Sequence, residues 1–101
     1  MIDFQKILDH EATLQAAIDR WGKPFQFDMA MEECTELIQS ILHERRGRAT
    51  PNKIAEEVAD VTIMMRQLRL ILGPDKVDTY ISDKMKRLNQ RVLDHDRKIK
   101  G

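Results

Sequence analysis

Apolar residues recur at intervals of three and four positions along most of this 101-residue chain. This spacing places apolar side chains on one face of an α-helix. Glycine and proline interrupt the pattern at Gly22-Lys23-Pro24, between Gly47 and Pro51, and at Gly73-Pro74-Asp75, where helices are expected to end. The pattern therefore predicts four helices, which run approximately from residue 3 to 20, from 25–28 to 46, from 51 to 72 and from 75 to 94 or beyond.

Each predicted helix has an apolar face that is expected to pack into a core. On the second helix this face comprises Phe27, Ala30, Met31, Cys34, Leu37, Ile38, Ile41 and Leu42. On the third it comprises Ile54, Val58, Val61, Met65, Leu68 and Leu72, and on the fourth Val77, Ile81, Met85, Leu88 and Val92. Trp21 closes the apolar face of the first helix, so it is expected to cap the core.

Short connections between helices favour antiparallel neighbours. The expected fold is an all-α, antiparallel four-helix bundle that forms a single domain over residues 1–101. Its core spans 3–93, and the polar tail 94–101 is expected to fray. Asp3 is expected to cap the first helix, and Thr50 followed by Pro51 is a strong start signal for the third. Gly47 is a natural residue just beyond the end of the second helix.

The third predicted helix carries apolar residues on nearly every side, because Ala59, Ile63 and Leu70 lie opposite its main apolar face. A helix that is apolar all round is normally buried on all sides. A chain of this length cannot easily bury one helix so completely by itself. We therefore expect a homodimer, or a tetramer, with this helix at or near the interface.

Composition narrows the classes of function. Aromatic residues make up only 5% of the chain, and there are four glycines and three prolines, which argues against an all-β fold. The formal net charge is zero, so non-specific binding to nucleic acid is not expected. The single cysteine, Cys34, is expected to be a packed core residue, and it fits a reducing compartment. No apolar run has membrane length, so a cytoplasmic protein without membrane contact is expected.

Two carboxylate motifs carry the candidate chemistry. Glu33 and Glu36 lie three residues apart in one predicted helix, and Glu57 and Asp60 do so in the next. Residues at this spacing are neighbours on a helix surface. Glu57 also falls inside the edge of an apolar face, where a bare charge is strongly disfavoured and needs an arginine or a hard cation as partner.

The metal suggested by these oxygen ligands is Mg²⁺ or Mn²⁺, since no histidine lies nearby. Glu32 and Glu56, the outer acids of each motif, are expected to be solvated. Di-iron bundles are excluded because they need Glu-x-x-His pairs, and Ile7, Ser40 and Val92 precede the three histidines at that spacing.

The order Glu32-Glu33-x-x-Glu36, a spacer of some twenty residues, and then Glu57-x-x-Asp60 resembles the MazG family of all-α nucleoside triphosphate pyrophosphohydrolases. The superfamily includes dimeric dUTPases and phosphoribosyl-ATP pyrophosphohydrolases. The resemblance covers about residues 21–91, and a basic run at 84–91 stands in place of the family's basic fourth helix. Members of the family often carry a basic residue a few positions before the first motif. Residues 28–31 of this chain contain none, which leaves the substrate preference open.

The resemblance implies that Glu33, Glu36, Glu57 and Asp60 hold Mg²⁺ at a catalytic site. It implies cleavage between the α- and β-phosphates of a nucleoside triphosphate, which gives a nucleoside monophosphate and pyrophosphate. The side chains expected to bind phosphate on the fourth helix are Lys84, Arg87, Asn89 and Arg91. Gln26 and Trp21 are the candidates for contacts with the base or ribose.

Two other classes of function remain open. In a non-catalytic helical interaction module, the acids would pair with Arg66, Arg69 or the arginines at 45–48, and no divalent metal would be needed. A nucleic-acid-binding protein would rest only on the basic fourth helix, and neutral net charge argues against it. Dependence on a divalent metal separates the enzyme from the module.

Overall fold

The computed structural model describes the backbone of residues 4–100 and the side chains of residues 10–99. All regular structure in this part of the chain is α-helical. The helices are α1 (Phe4–Trp21), α2 (Lys23–Arg45), α3 (Pro51–Leu72) and α4 (Pro74–Lys100). The four helices and the all-α class predicted from the sequence are confirmed. Asp3, the predicted cap of α1, lies outside the described residues.

The break between α1 and α2 is narrower than the sequence predicts. Gly22 alone separates the two helices, with φ 88° and ψ 159°. Its amide donates to the Ile18 carbonyl at 2.8 Å, and its own carbonyl accepts from the Gln26 amide at 3.4 Å. Pro24 falls in the first turn of α2, where a missing N–H leaves no helical bond unmade. The second helix therefore begins at Lys23 and includes the proline, whereas the sequence predicted a start at residues 25–28.

The signals between α2 and α3 are confirmed. Gly47 has a positive φ of 72°, and its amide donates to the Glu44 carbonyl at 2.9 Å. The Arg48 amide donates to the His43 carbonyl at 2.7 Å. At the start of α3, the Lys53 amide donates to the Thr50 hydroxyl oxygen at 3.3 Å, as an N-cap requires. Both helix ends are thus satisfied by local hydrogen bonds.

The helices fall into two compact units, one that ends at Ile71 and a second that starts at Leu72 and contains α4. In the first unit, α1 packs on α2, and the Gln26 side-chain amide donates to the Ala17 carbonyl at 3.3 Å. In the second unit, α4 is helical through Lys100, so the polar tail expected to fray from residue 94 continues the helix instead. The bundle arrangement of the four helices stays a prediction.

The buried interior of the first unit differs from the predicted core. Among its described residues, the buried apolar side chains are Leu14, Ile18, Ala30 and Met64, and the buried polar side chains are Gln26, Ser40, Glu57 and Gln67. On α3, the buried positions Glu57, Met64 and Gln67 lie at i, i+7 and i+10, so they form one helical stripe. The predicted apolar face of α3 is rotated away from this stripe.

Several predicted core residues are exposed in this chain. Trp21 is 56% exposed, so the expectation that it caps the core is wrong. Cys34 is only half-buried. The exposed members of the predicted apolar faces are Phe27, Met31, Ile38, Ile41 and Leu42 on α2, Val58, Met65 and Leu72 on α3, and Ile81, Met85, Leu88 and Val92 on α4. Oligomerisation, which would cover such side chains, stays a prediction.

In the described part of the chain, no helix combines the length and the apolar character that crossing a membrane requires.

The Thr50 cap generates a stability prediction. Replacing Thr50 with Ala removes the acceptor for the Lys53 amide, and we expect a loss of about 1 kcal/mol in the free energy of unfolding. Chemical denaturation followed by circular dichroism measures this loss. The matched control is Thr62→Ala on the same helix, where the exposed Thr62 hydroxyl donates only to the Val58 carbonyl of its own helix. Because alanine favours helix, T62A is expected to be neutral or stabilising. Equal losses in both variants would contradict the capping role.

Candidate metal centre

Three carboxylates from two helices converge in the first unit. Glu33 and Glu36 on α2 and Glu57 on α3 each offer one oxygen, and these three oxygens lie within 4.8 Å of one another. The spacing of three residues places Glu33 and Glu36 on one side of α2. Glu33 is half-buried, Glu36 is exposed and Glu57 is buried. We call these three residues the carboxylate cluster, which could bind one cation open to solvent at its Glu36 side.

Two oxygens of the carboxylate cluster are buried without a partner. Glu57 is only 4% exposed, and its Oε2 has no hydrogen-bond partner among the described residues. Glu33 Oε2 is in the same state. Buried polar atoms normally find a partner, because an unsatisfied one loses its hydration without compensation. Each of the two helices thus contributes one buried oxygen without a partner to the carboxylate cluster. This arrangement is expected of residues that bind a cation.

The carboxylate cluster disfavours its own negative charge. Burial raises the pKa of the Glu33 carboxyl above its usual value of 4.5. The negative charges of Glu36, Asp60 and Glu57, in that order, and a hydrogen bond with the Glu36 carboxyl raise this pKa further. The cluster therefore attracts protons or cations more strongly than separate surface glutamates do.

Lys53 supplies positive charge at this point. Its Nζ lies 3.0 Å from Glu57 Oε1 and 3.7 Å from Glu56 Oε2. The hydrogen bond and the charge of Glu57 raise the pKa of the Lys53 ammonium, although desolvation opposes this. The Lys53 side chain is 53% exposed, whereas that of Glu57 is 5% exposed. Glu57 thus pairs with a lysine, where the sequence predicted an arginine or a hard cation.

Sequence reasoning missed Lys53, although the chain carried a usable signal. Lys53 precedes Glu57 by four residues and Glu56 by three, the two spacings at which helical ion pairs form. The sequence predicted an arginine or a hard cation as the partner of Glu57, and neither of these is a lysine. Asp60, the fourth predicted ligand, is exposed on α3, and its charge acts on Glu33. Its oxygens are not among those grouped within 4.8 Å in the described residues.

A small pocket adjoins the carboxylate cluster. It encloses about 260 Å³ and lies at the ends of α2 and α3 that face the connecting loop. The residues that line it are Glu36, Gln39, Ser40, His43, Ala49, Lys53 and Glu57. The pocket therefore joins two cluster carboxylates to the ammonium of Lys53 and to neutral polar side chains.

The two predicted base or ribose contacts lie at the α1–α2 junction. The Trp21 ring is exposed; its centroid lies 6.2 Å from that of Phe25 and 5.8 Å from the Arg20 guanidinium carbon. Gln26 is only 2% exposed, and its amide is committed to the Ala17 carbonyl. Trp21 thus has an open aromatic surface, whereas Gln26 holds the two helices together.

The predicted phosphate-binding side chains all belong to α4, in the second unit. Lys84, Arg87 and Arg91 line one surface depression together with Gln90. Asn89 is exposed on the same helix. These three basic residues thus lie along one side of α4, where they form a basic surface, and its role in binding phosphate stays a prediction.

Comparison with protein-family models, with curated proteins and with solved structures gives no match for this chain.

The raised pKa of Glu33 generates a prediction about pH. In metal-free protein, the shifted carboxyl stabilises the fold below pH 4.5, and this contribution is lost as the pH rises through the higher folded-state pKa. We therefore expect Glu33→Gln to gain stability relative to wild type between pH 4.5 and pH 8 in EDTA, as denaturation at several pH values measures. The exposed neighbour Glu32 provides the control, and E32Q should show no such gain. A constant difference between E33Q and wild type across this range would contradict the prediction.

Proposed function

We propose that this chain is a Mg²⁺-dependent nucleoside triphosphate pyrophosphohydrolase of the MazG-like kind, which cleaves the bond between the α- and β-phosphates. The observation that carries the proposal is the carboxylate cluster with its two buried oxygens that lack partners. A structural role would be served better by paired or apolar side chains, because buried carboxylate oxygens without partners destabilise a fold. Their presence is accounted for if they serve to bind a cation.

The donor set fits a hard divalent cation. Glu33, Glu36 and Glu57 would hold it, and Asp60 would complete the set from the exposed side of α3. Carboxylate oxygens alone suit Mg²⁺, with Mn²⁺ as a substitute, and leave room for water and for phosphate oxygens. When bound, the metal would neutralise phosphate charge and lower the pKa of an attacking water. Glu36 is exposed and can position that water by accepting its hydrogen bond.

Phosphoryl transfer depends mainly on positioning and on neutralising charge. In this proposal the basic surface of α4, formed by Lys84, Arg87 and Arg91 with Asn89 beside it, is the candidate to bind phosphate. Trp21 provides a stacking surface for the base, since its ring is exposed. Gln26 supports that surface by fixing the α1–α2 junction through its bond to Ala17.

The proposal includes assembly as a homodimer or a larger homo-oligomer. Large apolar side chains that are about half exposed on α3 and α4 support it, among them Val58, Ile63, Met85 and Val92. Exposed apolar surface at helical spacing on two helices is typical of an interface between proteins.

The test is pyrophosphate release from a panel of ribo- and deoxyribonucleoside triphosphates with Mg²⁺, Mn²⁺ or EDTA. We expect metal-dependent release from some members of the panel. Glu57→Gln should lower the rate at least about 100-fold, since even indirect partners of a metal are worth 10–100-fold. The control is Glu56→Gln, which removes an exposed charge beside the site. Absence of release from every nucleotide with either metal would refute the proposed reaction.

A non-catalytic interaction module is the second candidate, and the Lys53–Glu57 ion pair favours it. This pair gives Glu57 a counter-ion from the chain itself at 3.0 Å, so part of the cluster's charge is neutralised without metal. It leaves Glu33 Oε2 and Glu57 Oε2 unsatisfied, which is why we prefer the enzyme.

Thermal denaturation separates the two candidates. A cation bound only by the folded protein adds about 2.7 kcal/mol at 100 times its dissociation constant. We expect Mg²⁺ or Mn²⁺ to raise the melting temperature of wild type and of E32Q, and to leave that of E33Q nearly unchanged. If neither metal changes the melting temperature of wild type, the result supports the interaction module.

A further inference from the structure

The Lys53 ammonium pairs with one of the carboxylates that would hold a cation. Its Nζ contacts Glu57 Oε1 at 3.0 Å, while Glu57 Oε2 lies buried without a partner on the same carboxylate. The carboxylate cluster draws its three oxygens to within 4.8 Å of one another. A divalent cation held by them would sit within a few ångströms of the ammonium, where like charges repel strongly. Cation binding and the Lys53–Glu57 pair therefore oppose each other.

The Lys53 side chain can move away from Glu57 more easily than Glu57 can move away from it. Its side chain is 53% exposed, and its four-carbon stem allows the ammonium to move into water without unfolding the helix. Glu57 is fixed by burial and cannot follow. Of the two partners, the lysine is the one that moves when a metal competes for the carboxylate.

The pocket beside the carboxylate cluster has room for an anion that the displaced ammonium could bind. Its described lining combines Lys53 with Gln39, Ser40 and His43, next to Glu36 and Glu57. Its volume of about 260 Å³ is below the 300–1,000 Å³ typical of sites for whole drug-sized ligands. It suits a phosphate group better than a nucleoside. An anion placed there would lie beside Lys53 and beside Glu36 and Glu57, two of the carboxylates that would hold the metal.

We propose that Lys53 is a resident counter-ion that a divalent cation displaces from Glu57, and that the released ammonium then binds a phosphate group in the adjoining pocket. The inference rests on the proposed function and adds an order to it, in which metal binding prepares the phosphate site. It also adds a phosphate ligand on α3, separate from the basic surface of α4. Lysine acts here as a mobile point charge, the way it commonly binds phosphate.

The test compares two affinities in the full-length chain by isothermal titration calorimetry. The first is the affinity for Mn²⁺ in the absence of phosphate. The second is the affinity for inorganic pyrophosphate with saturating Mg²⁺. Lys53→Met is expected to bind Mn²⁺ about tenfold more tightly than wild type, equivalent to 1.4 kcal/mol. The same variant is expected to bind pyrophosphate about tenfold more weakly, because the phosphate has lost its ammonium partner.

The opposite signs separate displacement from a merely structural role, since damage to the site would weaken both affinities. Lys23→Met is the matched control, because Lys23 is exposed at the start of α2 and its loss changes net charge equally. K23M should leave both affinities at their wild-type values. Lys53→Arg keeps the positive charge and should retain the weaker, wild-type affinity for Mn²⁺.

Three results would overturn the inference: unchanged or weaker Mn²⁺ binding by K53M, unchanged pyrophosphate binding, or equal effects in K23M. Circular dichroism verifies folding, and Lys53→Gln replaces K53M if the methionine variant does not fold. The proposed function fails separately, if wild-type protein releases no pyrophosphate from any nucleoside triphosphate while the two affinities still shift in opposite directions. Absence of Mn²⁺ binding to wild type would refute both.

Discussion

The structure depends on how excess negative charge is accommodated between α2 and α3. Three carboxylates meet there, one of them almost fully buried, and a single ammonium lies against them. One positive charge cannot neutralise three negative ones, so the metal-free cluster relieves its repulsion by favouring protonation of Glu33. A cation would relieve the same repulsion and would satisfy the two orphaned oxygens as well. The repulsion within the metal-free cluster and the proposed affinity for a cation therefore have one cause.

This arrangement costs the first unit part of its core. The stripe of α3 that faces inward carries Glu57, Met64 and Gln67, so two of its three buried side chains are polar. Gln67 Oε1 is itself buried without a hydrogen-bond partner among the described residues. Apolar side chains of α3 such as Val58, Ile63 and Met65 remain exposed instead. A helix whose buried face is mostly polar gains little stability from that face. An interface that covers its exposed apolar side chains would provide the missing stability.

Local signals allowed the helices to be predicted, because the determinants of a helix end lie within a few residues of it. Thr50, Pro51 and Gly47 placed the α2–α3 connection correctly, and each acts through a bond or backbone angle of its own neighbourhood. The convergence of Glu33, Glu36 and Glu57 was also predictable, since spacing fixed their faces and the apolar context of Glu57 required a partner. Burial was not predictable, because it depends on which face meets another element. Trp21 and, on the predicted apolar face of α3, Val58, Met65 and Leu72 are exposed for that reason, although their periodicity alone suits a core.

The first turn of α3 links helix formation to the chemistry of the site. The Lys53 amide is held by the Thr50 hydroxyl, while the Lys53 side chain reaches Glu57 one turn further on. The cap thus fixes the backbone of Lys53, and burial fixes the Glu57 carboxylate that the Lys53 ammonium contacts. The half-exposed stem of Lys53 joins these two points. An exchange of lysine for a metal ion at Glu57 therefore requires rotation of one half-exposed side chain and no rearrangement of the helices, which makes a rapid response to metal compatible with a rigid site.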